Sequence, residues 1–176
     1  NGGWGAGQGL DGQNGLIATT DGDTYNYPVE LLEEKFPLLV ERYSLNEGDS
    51  GGAGQWRGGL GLIREYRLLN GKAFLHASMG RNEVRPWGLV GGAAGSTNYV
   101  EVVRDGQTMT CARISYYPLQ QGDLVRILTG RGGGYGDPRQ RPAEQGAEDV
   151  RNGYITREAA EREYGVMLDE SIIARP

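Results

Sequence analysis

Hydrophobic and polar residues alternate with a period of two through the middle of the chain, and this pattern predicts a series of short β-strands. Leu38–Leu45 is the first. Leu60–Leu69 follows, with Leu62, Tyr66 and Leu68 on one face and Glu65 and Arg67 on the other. Lys72–Met79, Tyr99–Arg104, Gln107–Tyr117 and Asp123–Thr129 complete the set, the last preceded by a Gln121-Gly122 turn. Asn70-Gly71 and Asp105-Gly106 are hairpin signals, because a type I′ turn needs positive φ at both central residues. Lys72–Met79 is therefore expected to pair with Leu60–Leu69, and Gln107–Tyr117 with Tyr99–Arg104. Short strands joined by glycine turns predict a mainly β fold, a β-sandwich or barrel-like domain with glycine-rich loops, one short internal helix and a C-terminal helix.

The flanks lack this alternation. Residues 1–27 read as an ordered loop with one short strand at Leu16–Thr20. The internal helix starts at Pro28, which suits a first helical turn; Leu32 and Phe36 pair at i,i+4, and Pro37 ends it. After Pro138 the chain is polar and charged up to about Asn152; Thr156 then caps a helix at Arg157–Tyr164, with Gly165 at its end. The expected organisation is one structural unit in three stretches. Residues 1–37 form a glycine-rich loop plus short helix, 38–138 the β-domain, and 139–176 a polar linker and C-terminal helix. The opening NGGWGAGQG, without an initiator Met, reads as a piece of a longer chain or a processed subunit.

Composition changes this picture at one point. Glycine supplies 31 of 176 residues, with no collagen period. Seven of the fourteen residues of Gly48–Gly61 are glycine, and Gly130–Pro138 has the same character. Such runs belong where φ is positive or where another backbone or a ligand comes close. A net charge of −5 argues against a nucleic-acid partner. The single cysteine, Cys111, excludes an internal disulfide framework and fits a reducing, cytoplasmic location. No apolar run approaches the length of a membrane span.

Candidate chemistry is sparse. Gly48-Asp49-Ser50-Gly51-Gly52 spells the nucleophile signature of chymotrypsin-like proteases, but the only histidine, His76, follows the serine instead of preceding it. The stretch is read as a glycine turn. His76 and Cys111 fall inside expected strands, as packed side chains, and no His, Cys or carboxylate set has zinc spacing. Gly130–Gly136 could cradle a phosphate through backbone N–H groups; without a following Lys-Ser/Thr or helix it reads as a sharp chain reversal at a sheet edge. Asn26 and Glu30, beside the Pro28 helix start, are the catalytic candidates, with capping and dipole roles as the alternative. Arg57, the sole charge between Ser50 and Ile63, either ties the glycine run to an acidic or carbonyl group or contacts a substrate carboxylate or phosphate.

Several stretches together resemble the C-terminal part of the hydantoinase B/oxoprolinase family. They are Asn26-Tyr27-Pro28-Val29-Glu30, Ser50–Gly54 with Arg57–Gly61, Pro86-Trp87-Gly88 before Gly91-Gly92, Gly132–Pro138, and Arg151–Thr156 with Ala159–Val166. Gly2–Ala6 fits the family's glycine-rich motif just upstream, and the resemblance covers nearly the whole chain. It implies the B-type subunit of an ATP-dependent cyclic-amide hydrolase of hydantoinase or 5-oxoprolinase type. The alternatives are a subunit of an acetone- or acetophenone-type carboxylase, or a structural β-domain that docks partner chains. It also implies ATP with Mg on a partner A-type ATPase subunit, a divalent catalytic metal held outside this piece, and a cyclic amide or ketone as substrate. The implied partners are the N-terminal part of the B-type chain and the A-type subunit, with neither nucleic acid nor membrane. The isolated 176 residues are expected to be inactive.

Overall fold

The computed structural model describes residues 2–17, 21, 25–48 and 51–167. Strands form where the alternation places them: β1 (Leu38–Leu45), β2 (Leu62–Leu68), β3 (Ala73–Ser78), β4 (Tyr99–Arg104), β5 (Gln107–Cys111), β6 (Arg113–Leu119) and β7 (Leu124–Leu128). Five make an antiparallel sheet in the order β1-β2-β7-β4-β5, and β3 pairs antiparallel with β6 in a second, two-stranded sheet. Val100, Val102 and Val125 of the large sheet pack against Leu75 and Ala77 of β3 and Tyr117 and Leu119 of β6. On the opposite face, charge pairs cross the strands: Glu41 with Arg67, and Glu65 and Glu101 with Arg126. The alternation thus separates a side-chain core from a charged face, as expected for a mainly β, sandwich-like domain.

Two hairpin expectations part company. Asp105-Gly106 joins β4 to β5 with φ of 49° and 77°, the pair of positive values a type I′ turn requires. Asn70-Gly71 joins no hairpin. Only Gly71 has positive φ there, and β3 pairs with β6 instead of β2. The reason is that β2 has no free edge: β1 lies on one side and β7 on the other. The chain therefore passes to the second sheet. The expected single strand Gln107–Tyr117 breaks likewise at Ala112, where β5 ends in one sheet and β6 begins in the other.

Helix α1 (Val29–Lys35) starts after Pro28 and ends before Pro37. Residues 139–152, expected to be an irregular polar stretch, hold helix α2 (Ala143–Arg151). Its inward face is Gly146, Ala147 and Asp149, which include no large apolar side chain. Helix α3 (Arg157–Ala159) follows, capped by Thr156 Oγ1, which accepts from Ala159 N at 3.1 Å. It continues as a π-helical turn over Ala160–Tyr164 and stops at Gly165 with φ 72°. Ala147, Ile155, Ala160, Tyr164 and Val166 form a small apolar cluster with Ala53. Leu16 makes an isolated bridge with Gly2, while 18–20 of the expected Leu16–Thr20 strand lie outside the described residues. No helix among the described residues is long and apolar enough to cross a membrane.

Candidate functional site

The glycine-rich segments do not turn back on themselves. They run side by side, and 130–136 lies among the others. Gly3 N donates to Gly130 O, Gly132 N to Gly59 O, Leu89 N to Gly134 O and Tyr135 N to Trp56 O. Four segments, 2–6, 52–59, 86–95 and 130–136, are thereby hydrogen-bonded backbone to backbone outside either sheet. The spacing explains the glycines: a Cβ on Gly132 would lie 1.9 Å from Trp4 O, and one on Gly58 2.0 Å from Gly132 O. Close approach dominates here, not positive φ. The sharp reversal expected at 130–136 is absent, because the segment is engaged along its length by these neighbours.

The same bonds decide against a phosphate cradle. Gly130 N donates to Asn98 Oδ1, Arg131 N to Ser96 Oγ, and the N–H groups of Gly132, Gly134, Tyr135 and Gly136 to backbone carbonyls. A cradle needs these donors free and converging. Segment 130–136 therefore does not present the row of free donors that a nucleotide phosphate needs. Nor do three His, Cys, Asp or Glu among them converge on one point to hold a metal ion.

Arg57 is buried at the junction of the bundle with α2. Its Nε donates to Asp149 Oδ1 at 3.1 Å and its Nη1 to Asn14 Oδ1 at 3.4 Å, with the guanidinium carbon 4.4 Å from the centre of the Tyr154 ring. Asp149 Oδ2 lies 2.8 Å from Nη2 of Arg141. Arg141 grips Asp11 with both terminal nitrogens at 2.8 Å, and Asp11 Oδ1 also accepts from the Arg57 backbone N–H at 2.8 Å. Two guanidinium groups and two carboxylates thus balance one another. Burial pushes the Asp11 carboxyl up, but the bonds and charge of Arg141, with the Arg57 N–H, outweigh it and hold the carboxyl below its ordinary value. Burial drives the Tyr164 hydroxyl up to about 12. The cluster holds the N-terminal loop, the glycine run and α2 to one another, and the acidic partner expected for Arg57 is Asp149.

The catalytic candidates lie elsewhere and apart. Asn26 does not cap α1, where no side chain caps the helix. Its Nδ2 donates to the Tyr43 hydroxyl at 2.8 Å, and its Oδ1 accepts from Arg64 Nη2 at 2.8 Å. Arg64 also donates to the same hydroxyl at 2.7 Å and lies over the Tyr43 ring. Glu30 is exposed in the first turn of the seven-residue α1. His76 is exposed on β3, its ring 4.4 Å from that of Tyr116, not packed as the sequence suggested. Cys111 is half-buried against the sandwich core, and burial pushes its thiol up. Asp49 and Ser50 of the protease-like motif lie outside the described residues.

An open cleft of about 660 Å³ runs between the edge of the glycine bundle and the end of β3. Gly3, Trp4, Ser78, Arg81, Asn98 and Thr129 are among its lining residues. Local sequence reading singled out none of them as site residues, since the cleft joins stretches from both ends of the chain.

The comparisons with known proteins agree with this architecture. Residues 1–138 match the model of the family described as hydantoinase B/oxoprolinase. A protein of Pseudomonas sp. (strain NS671), described as the B-type subunit of a candidate D-/L-hydantoinase, is 36% identical over 97% of this chain and 29% of its own length. The crystal structure of the ATP-dependent caprolactamase from Pseudomonas jessenii is similar over 97% of this chain and 30% of that one, at 30% identity and a TM-score of 0.72. A nucleotide-free acetone carboxylase shares the fold over 96% of this chain and 27% of that one, with a TM-score of 0.78 at 23% identity. The chain spans between about a tenth and three tenths of the length of the curated relatives it matches. It belongs to the hydantoinase B/oxoprolinase family.

Proposed function

We propose that these residues are the C-terminal part of the B-type subunit of an ATP-dependent cyclic-amide hydrolase, with ATP and Mg held on a partner A-type subunit in the cytoplasm. The observation that carries this reading is the likeness to the ATP-dependent caprolactamase, which covers 97% of the chain at 30% identity. The likeness to acetone carboxylase supports the fold alone at 23% identity. Within such a subunit the glycine bundle serves as a rigid wall. Most N–H groups of the 130–136 segment are engaged, and the buried Arg57 and Arg141 are paired with Asp149 and Asp11; on this reading the hydrolytic groups and any metal come from outside this piece.

The test is a substrate panel on the intact complex with ATP, following phosphate release and product. Hydantoin, 5-oxoproline and caprolactam are the cyclic amides; acetone with bicarbonate is the competing case. The expected outcome is phosphate release coupled to ring opening with at least one cyclic amide. Turnover confined to the ketone would replace this reading with the carboxylase one. The 176 residues alone are expected to turn over none of the panel.

A further inference from the structure

The Gly80-Arg81 turn on the rim of the cleft is strained and firmly held. Arg81 has φ 53°, in the left-handed region that residues with a Cβ rarely enter. Asn98 clamps the turn: its backbone N–H donates to Arg81 O at 3.0 Å and its Nδ2 to Gly80 O at 2.7 Å. Its Oδ1 accepts from Gly130 N at 2.8 Å, which fixes the clamp to the bundle. Both bonds from Asn98 to the turn use the turn's backbone. The exposed Arg81 guanidinium has no hydrogen-bond or ion-pair partner among the described residues. Strain that the surroundings hold in place collects at functional positions. Here it sets an unengaged cation on the lining of a cleft that also carries the Ser78 hydroxyl and the Trp4 side chain.

We propose that this cleft binds a small organic carboxylate, taken by the planar fork of Arg81 with the Ser78 hydroxyl as a second donor. Arginine is the only cation in the lining, and its fork matches a carboxylate edge on. A phosphate group draws on several backbone donors. Five of the lining are taken: Gly2, Gly3, Trp4 and Thr129 donate to backbone carbonyls, and Gly130 to Asn98. Trp4 supplies an apolar surface for the remainder of the molecule. The choice of ligand rests on the proposed function. Hydrolysis of a cyclic amide adds water across the C–N bond and leaves a new carboxylate on the same chain as the released nitrogen, an amine from a lactam or a ureido group from a hydantoin, so the cleft takes the ring-opened acid.

The test is calorimetric titration of the intact subunit, without ATP, using 6-aminohexanoate, 6-aminohexanamide, which lacks the carboxylate, and inorganic phosphate. Wild type is expected to bind the acid with a Kd on the order of 1 mM and the amide at least about tenfold more weakly. Arg81→Gly removes the side chain and relieves the backbone, since glycine accepts this φ. It is expected to weaken the acid about tenfold or more while the melting temperature holds or rises. Should Arg81→Gly fail to fold, Arg81→Asn, which also tolerates positive φ, carries the same comparison. Undiminished affinity in the variant, equal binding of the amide, tighter binding of phosphate, or no binding by wild type overturns the proposal. Because no turnover is measured, binding that depends on Arg81 stands even if the substrate panel fails, and its loss leaves the hydrolase reading intact.

Discussion

The glycine bundle and the β-sandwich are built on opposite principles. In the sandwich, Val100, Val102 and Val125 meet the side chains of the second sheet, and the backbones are held apart by what they carry. In the bundle the backbones themselves touch, and a single methyl group has no room at Gly3, Gly58, Gly61 or Gly132, where a Cβ would lie 2.0 Å or less from a carbonyl oxygen. A side-chain core tolerates exchange, because neighbours shift to refill or make space. A backbone core cannot, because hydrogen bonds fix both partners. The cohesion of the bundle must come from those bonds and from the charges at its edge.

The largest effect should therefore come from the smallest addition. Gly132→Ala is expected to leave no folded protein, a loss beyond about 5 kcal/mol, at the far end of what point changes do. Gly7→Ala, where a Cβ meets nothing within 4 Å, is the control and should melt within a degree or two of wild type. Equal, mild effects in a thermal melt of both variants would break the contrast.

Next in size is the buried charge at the junction. Asp149→Ala leaves Arg57 and Arg141 facing each other without the carboxylate between them, and is expected to cost about 3–5 kcal/mol by urea unfolding. Arg57→Lys keeps the charge but loses the fork and the stacking on Tyr154, so a smaller loss of the same sign is expected. The sandwich offers the matching deletion. Val102→Ala should cost about 2 kcal/mol, the ordinary value for removing buried methyl groups. If Val102→Ala proves worse than Asp149→Ala, the ions at the junction contribute less than the apolar core does.

The two regions also differ in how far the chain announces them. The strands are legible because period-two alternation is local, and β4–β5 is legible because both turn residues accept positive φ. The Asn70-Gly71 hairpin misleads because the competition for the edges of β2 is settled by β1 and β7, which no local window contains. Helix α2 escapes notice because Gly146, Ala147 and Asp149 face inward. In the bundle, Arg57 stands out as a lone charge among glycines, yet its partner Asp149 lies 92 residues away and the Arg141–Asp11 pair spans 130. Asn26 is visible beside Pro28, whereas Tyr43 and Arg64, which bind it, are brought there by β1 and β2. Arg81 carries no signal, since a left-handed arginine is set by its Asn98 clamp and not by its own residue type.

The smallest expected effect asks whether the two regions unfold as one. Each has a carboxylate held below its ordinary value. In the sandwich, Arg104 bonds to Asp123 at 2.6 and 2.8 Å, against the opposing effect of burial, with help from the Gln120 N–H. In the bundle it is Asp11, where burial is overcome by Arg141 and by the Arg57 N–H. A depressed folded pKa adds stability that is complete above the unfolded value near about 3.9 and is lost as pH falls through the folded value. The urea midpoint should therefore hold from neutral pH to about pH 5 and fall below about pH 4. Asp11→Asn and Asp123→Asn should each start from a lower midpoint and fall less steeply with acid. The tryptophans Trp4, Trp56 and Trp87 all sit in the glycine segments, so their fluorescence follows the bundle, while far-UV circular dichroism follows the sheets. Glycine segments 52–61 and 130–136 run directly into β2 and out of β7, neighbouring strands of the large sheet, which couples the two regions through the main chain. The two signals are expected to move together at every pH, and in Asp11→Asn as in Asp123→Asn. Acid transitions that separate, with fluorescence shifted by Asp11→Asn alone and circular dichroism by Asp123→Asn alone, would mean that the backbone-packed and side-chain-packed regions are independent cooperative units.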